Sequence, residues 1–245
     1  MPRETRRRVL QGGLASVATV LAGCSGGTGN YDDEPYQGSA PEGDLTGGQA
    51  TRNGEGSPTA GFSDDFEDGD LSEYGFDRGS SGASVVSSPT HSGTYALEYA
   101  GTNAEAISTS GLDAYPSAGD TFSFWVRASG GGDNINATWG VQGHDDRYYA
   151  KLKPDSGGLY LFTYKNGSGD QHDYATGLSL SQDAWYEIEV EWQTDGTQIV
   201  TLYDGGGSQL AQLSMTDTDW TSGGVGYDAY LGSGESAYFD DVTIL

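Results

Sequence analysis

One stretch of twenty residues, from Trp185 to Asp204, limits the possible folds more than any other part of the chain. Apolar residues alternate with glutamates up to Trp192, which is the period of a strand with one buried face and one face in water. The pair Asp195-Gly196 then suits a tight reversal, because glycine accepts a positive φ without steric cost. Alternation resumes beyond this pair, so the stretch predicts a β-hairpin.

The same pattern of short alternating runs and turn residues continues from Phe62 to the C-terminus. Thirteen runs predict strands: 62–66, 83–88, 94–99, 104–109, 120–128, 135–142, 147–153, 159–164, 185–193, 197–204, 209–215, 224–231 and 237–245. They predict an all-β fold, a two-sheet antiparallel β-sandwich or jelly roll. In the hairpin strand, Val190 and Trp192 should face the interior. Glu189 and Glu191 should face water.

The first 61 residues differ in composition and predict an export signal followed by a linker. Paired arginines between Thr5 and Gln11 precede a short apolar run and resemble a Tat export signal. The sequence Leu-Ala-Gly-Cys, which ends at Cys24, is similar to a lipobox, whose cysteine is lipidated after cleavage. A coincidental cysteine after an ordinary signal is the alternative. Residues 1–23 are therefore predicted to be a Tat/lipoprotein signal peptide, and residues 24–61 a disordered acidic linker.

Charge restricts the partners of this chain. Its net charge is −25, and removal of the signal takes away four arginines and one glutamate, which lowers the charge to −28. Such a charge repels itself unless salt screens it, and the surface resembles that of salt-adapted haloarchaeal proteins. An acidic bacterial protein that uses calcium is the alternative. Nucleic acid is not expected as a partner, because phosphate binding needs a basic face. We expect an exported monomer that meets the outer face of the cell membrane only through its lipid anchor.

Three motifs resemble concanavalin A-like (LamG-type) jelly-roll domains. They are the opening run FSDDFEDGDL from Phe62, the hairpin at Trp185, and the closing run AYFDDVTI from Ala237. The resemblance covers residues 62–245 and implies a jelly-roll domain over that range. This fold carries lectins, glycan-binding modules, lyases and glycosidases, so the resemblance leaves the activity open.

The resemblance also implies a structural calcium ion between the first and last strands. By position its ligands would be Asp65, Glu67 and Asp240, since calcium takes six to eight oxygen ligands. Asp240 is in phase with Val242 and is therefore predicted to point inward, where it needs a neutralising partner. The alternative is that these acids belong to a solvated acidic surface.

A polar groove is predicted around the cations of the domain. Five of the six lysines and arginines in residues 62–245 lie between residues 127 and 165. If their strand faces form one concave surface, the glycan-binding residues are Trp125, Arg127, Gln142, Arg147, Tyr149, Lys151 and Tyr160. Aromatic rings stack on sugars, and cationic side chains bind hydroxyl or carboxylate groups. The alternative is that these cations only pair with surrounding carboxylates.

A possible catalytic motif lies in the central hairpin. Glu187, Glu189 and Glu191 resemble the Glu-Ile-Asp-Xaa-Glu motif of laminarinase-type glycosidases, whose acid and nucleophile share one strand face. Here the middle residue is glutamate, and the Asp-Gly turn follows at once, as in non-catalytic hairpins. The sequence therefore favours glycan binding without chemistry. A polysaccharide-degrading hydrolase or lyase and a purely structural surface protein remain as alternatives.

Two asparagines fit the acceptor pattern for N-glycosylation. Asn136 begins Asn-Ala-Thr and Asn166 begins Asn-Gly-Ser. A glycan on Asn136 would block a groove at that position, so the two predictions compete there.

The lipid anchor can be tested with Cys24→Ser. This change removes the thiol that would be acylated, so we expect the chain to move from the membrane fraction into the medium. Immunoblotting of the two fractions measures the shift. Continued membrane retention of the variant would refute lipidation at this residue.

Overall fold

The computed structural model of the chain describes residues 63–101, 103–130 and 134–244. These residues form fifteen strands and one short 3₁₀ helix, Ser80–Gly82. The strands are β1 (Ser63–Asp64), β2 (Gly75–Arg78), β3 (Ala83–Val86), β4 (Ala96–Ala100), β5 (Ala104–Ser108), β6 (Thr121–Ser129), β7 (Asn134–Gly143), β8 (Asp146–Lys153), β9 (Gly158–Lys165), β10 (Ser168–Thr176), β11 (Trp185–Trp192), β12 (Thr197–Asp204), β13 (Gln209–Thr216), β14 (Gly224–Tyr230) and β15 (Ser236–Ile244). Within these residues we find no helix with the length and apolarity needed to cross a bilayer.

The strands form two antiparallel sheets. Sheet 1 has the order β13-β12-β11-β6-β15-β4-β3, and β1 pairs with β15 beside this path. Sheet 2 has the order β10-β9-β8-β7-β14-β5-β2. The first and last strands are neighbours, with Ser63 opposite Thr243. The predicted all-β, two-sheet antiparallel sandwich is confirmed.

Aromatic side chains from both sheets fill the space between them. Phe122 of β6 contacts Trp139 of β7 at a ring-centroid distance of 6.1 Å. Trp192 of β11 contacts Tyr148 of β8 at 5.7 Å with nearly perpendicular rings. Edge-to-face pairs of this kind add to the free energy of burying large apolar surfaces. These contacts join the inner faces into one core.

The central hairpin has the predicted alternation. Val190 and Trp192 are fully buried, whereas Glu189 is partly exposed and Glu191 is exposed. Gly196 in the turn has φ = 86°, and a Cβ there would lie 2.6 Å from the backbone oxygen of Asp217. Any larger residue at this turn would therefore be strained and would clash.

Two strands were not predicted. β2 is a short edge strand of four residues, and β10 is a nine-residue edge strand with few apolar side chains. Alternation of apolar and polar residues could not reveal β10. Its turn could have done so, because Asn166 and Gly167 both have positive φ and join β9 to β10 with a two-residue loop.

The last strand departs from the predicted phase. A bulge interrupts β15 between Asp240 and Thr243, and Asp241 has φ = 46°. Phe239 and Val242 both belong to the core, so Asp240 lies on the outer side of sheet 1 and the predicted phase was wrong. The Asp240 side chain is nevertheless fully buried, and its Oδ2 atom accepts a hydrogen bond from the backbone N–H of His91 at 2.7 Å.

Several predictions lie outside the described residues. They are the signal peptide at 1–23, the linker at 24–61, Cys24, and the domain boundary at Phe62.

The core role of β11 can be tested with a matched pair of neighbours. Trp192→Ala should lower the free energy of unfolding by about 3–5 kcal/mol, because it leaves a large cavity between the sheets. Glu191→Ala, one residue away on the outer face, should change it by less than about 0.5 kcal/mol. Equilibrium denaturant unfolding measures both. Equal effects of the two changes would contradict the assigned faces.

Candidate functional site

The predicted groove residues divide between opposite surfaces of the sandwich. Trp125 and Arg127 lie on β6, in sheet 1, and Arg147, Tyr149 and Lys151 lie on β8, in sheet 2. The side chains that neighbour them in these strands point into the core, so both sets occupy outer faces. Outer faces of two stacked sheets point away from each other. The prediction that all these residues share one groove is therefore wrong.

On sheet 1, the predicted residues already have partners. Trp125 stacks on His91 with ring centroids 3.6 Å apart and an interplanar angle of 12°. The Arg127 guanidinium lies 3.2 Å from Asp183 Oδ1 and 5.8 Å from the centre of the Tyr238 ring. These groups cover one another and present no open aromatic platform at Trp125.

The three glutamates of the possible catalytic motif also lie on the outer face of sheet 1. Glu187 is directly opposite Trp125 in the neighbouring strand. Glu189 Oε1 accepts the Tyr203 hydroxyl at 3.4 Å, and Glu191 Oε1 accepts the Gln193 amide at 2.7 Å. The glutamates therefore do not face the basic strand β8.

Gln142 has a local structural role at the end of β7. Its side-chain amide donates to the backbone oxygens of Gly140, at 3.1 Å, and Ser222, at 2.7 Å. The amide thus ties β7 to the segment that precedes β14.

The outer face of sheet 2 contains a buried ion network. Its centre is Arg147, which pairs with Glu105 of β5 and, at 3.3 Å, with Asp228 of β14. Asp228 also forms an ion pair with Arg78 of β2, at 3.3 Å. Glu105 and Asp228 are each only 1% exposed. We call Asp77, Arg78, Glu105, His144, Arg147 and Asp228 the polar cluster.

His144 completes the polar cluster from the turn between β7 and β8. Its Nδ1 atom lies 2.5 Å from Glu105 Oε2 and 3.0 Å from Asp77 Oδ2. The close contact between His144 and the Asp77 carboxylate raises the pKa of His144 and lowers the pKa of Asp77. With a protonated His144, the three cations and three carboxylates of the cluster balance in charge.

A glycine at the centre of this face allows the neighbouring strands to pack closely against it. Gly226 of β14 lies between Ile107 and Thr138 in the neighbouring strands. A Cβ at this position would come within 2.6 Å of the Ala106 backbone oxygen and 2.9 Å of Thr138 Oγ1. Any side chain here would therefore displace its neighbours.

Beyond the polar cluster, lysine and aromatic side chains line β8 and β9. Tyr149 stacks on Phe162 with ring centroids 4.8 Å apart and an interplanar angle of 4°. The Lys151 ammonium lies 4.7 Å from the Phe162 centroid and 5.9 Å from that of Tyr149, within cation–π range. Burial and the neighbouring Lys153 lower the pKa of Lys151 to about 8.

A pair of tyrosines continues this row to the sheet edge. Tyr160 of β9 stands opposite Lys151 on one side and Tyr174 of β10 on the other. The two tyrosine rings stack at 6.2 Å with an interplanar angle of 18°. Among the described residues, Tyr174 is the exposed large apolar side chain, at 58%. Tyr174 was not among the predicted groove residues, because β10 was not predicted as a strand. We call Lys151, Lys153, Tyr160 and Tyr174 the tyrosine–lysine row.

Each of the predicted calcium ligands accepts hydrogen bonds from backbone groups. Glu67 Oε1 accepts the backbone N–H groups of Thr94 and Tyr95, which lowers its pKa. Asp65 Oδ1 accepts the N–H of Glu67. Burial raises the pKa of Asp240 to about 6. Calcium binding at these residues stays a prediction.

Two other groups of side chains bring three metal-ligand atoms within 4.8 Å of one another in the described ranges. They are Asp77, Glu105 and His144, and Asp68, Asp70 and Glu73. The first group belongs to the polar cluster, where arginines already balance its carboxylates. The predicted calcium set is not among these groups.

The two predicted glycosylation sites differ in access. Asn136 is 1% exposed on the outer face of sheet 2, so a transferase could not reach it in the folded domain and this prediction is wrong for the folded state. Asn166 is exposed in the β9–β10 turn, and its backbone N–H donates to Asp146 Oδ1 at 3.0 Å. Glycosylation of Asn166 stays a prediction.

The ion network can be tested by removing its central charge. Arg147→Met keeps most of the side-chain volume but leaves Glu105 and Asp228 buried with less compensation, so we expect a loss of about 3–5 kcal/mol in the free energy of unfolding. Arg127→Met is the matched control on sheet 1 and should cost less than about 1 kcal/mol, because its partner Asp183 is exposed. Denaturant unfolding in the same salt measures both. Similar losses would contradict the central role of Arg147.

Comparison with known proteins supports the fold alone. No protein-family model matches the chain, and no curated protein matches it. Solved structures do match. A GH43 protein from Bacillus licheniformis has 12% identity and a TM-score of 0.54, over 74% of this chain and 39% of that one. A β-glucanase from Bacillus licheniformis has 11% identity and a TM-score of 0.51, over 75% and 97%. A protein of unknown function from Shewanella oneidensis MR-1 has 16% identity and a TM-score of 0.51, over 75% and 84%. The chain is similar to these proteins in its fold, a two-sheet antiparallel β-sandwich.

Proposed function

We propose that this domain binds a carbohydrate, without chemistry, on the outer face of sheet 2. The observation that carries the proposal is the exposed ring of Tyr174, stacked on Tyr160 beside Lys151. An aromatic ring that is exposed at a sheet edge is available to pack against the apolar face of a ligand. Its place in a row with a lysine fits a polar ligand that also has an apolar face.

A sugar has the surface that this row requires. One face of a pyranose ring exposes C–H groups, which pack against an aromatic ring, while its hydroxyl groups point to the sides. Lys151 lies one strand from Tyr160 and can donate to those hydroxyl groups. The row crosses three adjacent strands, each about 4.8 Å from the next, so it can follow an extended chain of sugars.

The polar cluster gives this face a second function to consider. It places an imidazole, two guanidinium groups and three carboxylates on the surface that carries the tyrosine–lysine row. His144 also approaches Tyr164 with ring centroids 6.4 Å apart. A polysaccharide-degrading enzyme is therefore the alternative proposal. Product analysis of any bound oligosaccharide, by mass spectrometry after long incubation, separates the two: intact ligand supports binding, and shortened ligand supports the enzyme.

We further propose that the domain is exported and held by a lipid on Cys24 at the outer face of the cell membrane. A linker of the predicted composition and length, about 37 residues, would have a root-mean-square span of roughly 30–35 Å and would lift the binding face away from the lipid. The acidic surface supports a salt-rich environment, where screening reduces its self-repulsion.

The binding proposal is tested with Tyr174→Ala. Loss of the exposed ring should weaken carbohydrate binding about tenfold, equivalent to about 1.4 kcal/mol. Tyr203→Ala removes a tyrosine from the outer face of sheet 1 and should leave affinity unchanged. A glycan array in molar salt identifies the ligand, and calorimetry measures the two variants. An unchanged affinity in Tyr174→Ala, or an array without any bound glycan, would refute the proposal.

A further inference from the structure

We infer that the carbohydrate bound by the tyrosine–lysine row is acidic, with carboxylate or sulfate groups held by Lys151 and Lys153. This inference rests on the proposed binding function and names its ligand class. It goes further because a neutral glycan would need only the tyrosine pair and hydrogen-bond donors.

Lys153 has an unusual environment for a cation in this domain. The other strand-borne cations outside the row have carboxylates within 4.0 Å: Arg78 and Arg147 share Asp228, Arg127 pairs with Asp183, and Lys165 with Asp219. Among the residues that the structure describes, no carboxylate oxygen lies that close to the Lys153 ammonium. In a chain with 36 acidic residues and 11 basic ones, a lysine without such a partner is notable.

Two like charges, those of Lys151 and Lys153, lie side by side on β8. Lys151 and Lys153 are two residues apart in β8 and therefore lie on the same face. Their repulsion adds to the cost of burying Lys151 and helps to lower its pKa. Asp228 opposes this shift and is also engaged with Arg78 and Arg147. An anionic group between the two ammonium groups would remove the repulsion.

The tyrosine rings lie next to the strand that carries these two lysines. Lys153 stands opposite Gly158 in β9, and Lys151 stands opposite Tyr160. A Cβ on Gly158 would lie 2.5 Å from the Tyr160 ring, so that ring extends over Gly158 towards the Lys153 position. The Lys153 position and the stacked tyrosine rings therefore border the same strip of surface, and Lys151 stands opposite Tyr160 within it. A sugar that stacks on the tyrosines would carry its acidic substituent next to the lysines.

Long-range repulsion does not exclude this ligand. At molar salt the Debye length is about 3 Å, so the negative surface of the domain is screened, while direct ammonium–anion contacts within that distance persist. The same screening means that affinity should be higher in molar salt than in dilute buffer. A simple basic patch that attracts anions from a distance would show the opposite trend.

The test uses matched ligand pairs with the full chain. A panel of uronate and sulfated hexasaccharides is titrated by calorimetry in molar salt, each beside its carboxyl-reduced or desulfated form. At least one acidic ligand should bind about tenfold more tightly than its neutral counterpart. Equal binding within every pair would overturn this inference and leave the proposed function in place. Binding of no member of any pair would overturn this inference, and the glycan array in molar salt would then decide the proposed function.

Variants then locate the selectivity. The double change Lys151→Gln and Lys153→Gln should abolish the acidic preference, so that the two members of each pair bind equally, even where the affinity for both falls. Lys165→Gln is the matched control, because this exposed lysine of β9 lies outside the row and pairs with Asp219. The preference of this variant for acidic ligands should be unchanged. Tyr174→Ala should weaken both members of a pair equally. Because the preference is a ratio within one variant, a general loss of folded protein does not alter it. An acidic preference that survives the double change would overturn the assignment to these lysines.

Discussion

The packing of two sheets through their inner faces is the constraint on which the rest of the structure depends. Phe122, Trp139, Tyr148 and Trp192 meet between the sheets, and each fixes the direction of its strand neighbours. Since side chains alternate along a strand, the residues beside them must point outward. The sandwich therefore has two separate outer faces, and only residues on the same face can act on one ligand.

The two outer faces differ in chemistry. On sheet 1, Trp125 and Arg127 are covered by His91 and Asp183, and the glutamates of β11 hydrogen-bond to neighbouring side chains. On sheet 2, a buried ion network around Arg147 lies beside the tyrosine–lysine row. Buried ion pairs add little net stability, because desolvation offsets their attraction. The consequence of the network is mainly geometric: it fixes Arg147 on Tyr164 and thereby supports the strands that carry the row.

Local alternation was sufficient to predict the fold class and the faces of the central hairpin. It was not sufficient to predict sheet membership, since Trp125 and Tyr149 have equivalent local patterns but lie in different sheets. A one-residue bulge changed the phase of Asp240, and its mark in the sequence is the odd spacing of the core residues Phe239 and Val242. β10 escaped detection because few of its side chains are apolar, although Asn166-Gly167 marked its turn. The polar cluster could not be predicted either, because Asp77, Glu105 and Asp228 meet only through the adjacency of β2, β5 and β14.

The most direct test of the central claim is a map of ligand contacts at residue resolution. Backbone NMR of the domain can be recorded with increasing amounts of the oligosaccharide that a glycan array selects. The account predicts that amide shift changes cluster on β8, β9 and β10, around Lys151, Tyr160 and Tyr174. Changes clustered instead around Trp125 and Glu187, on the outer face of sheet 1, would contradict it.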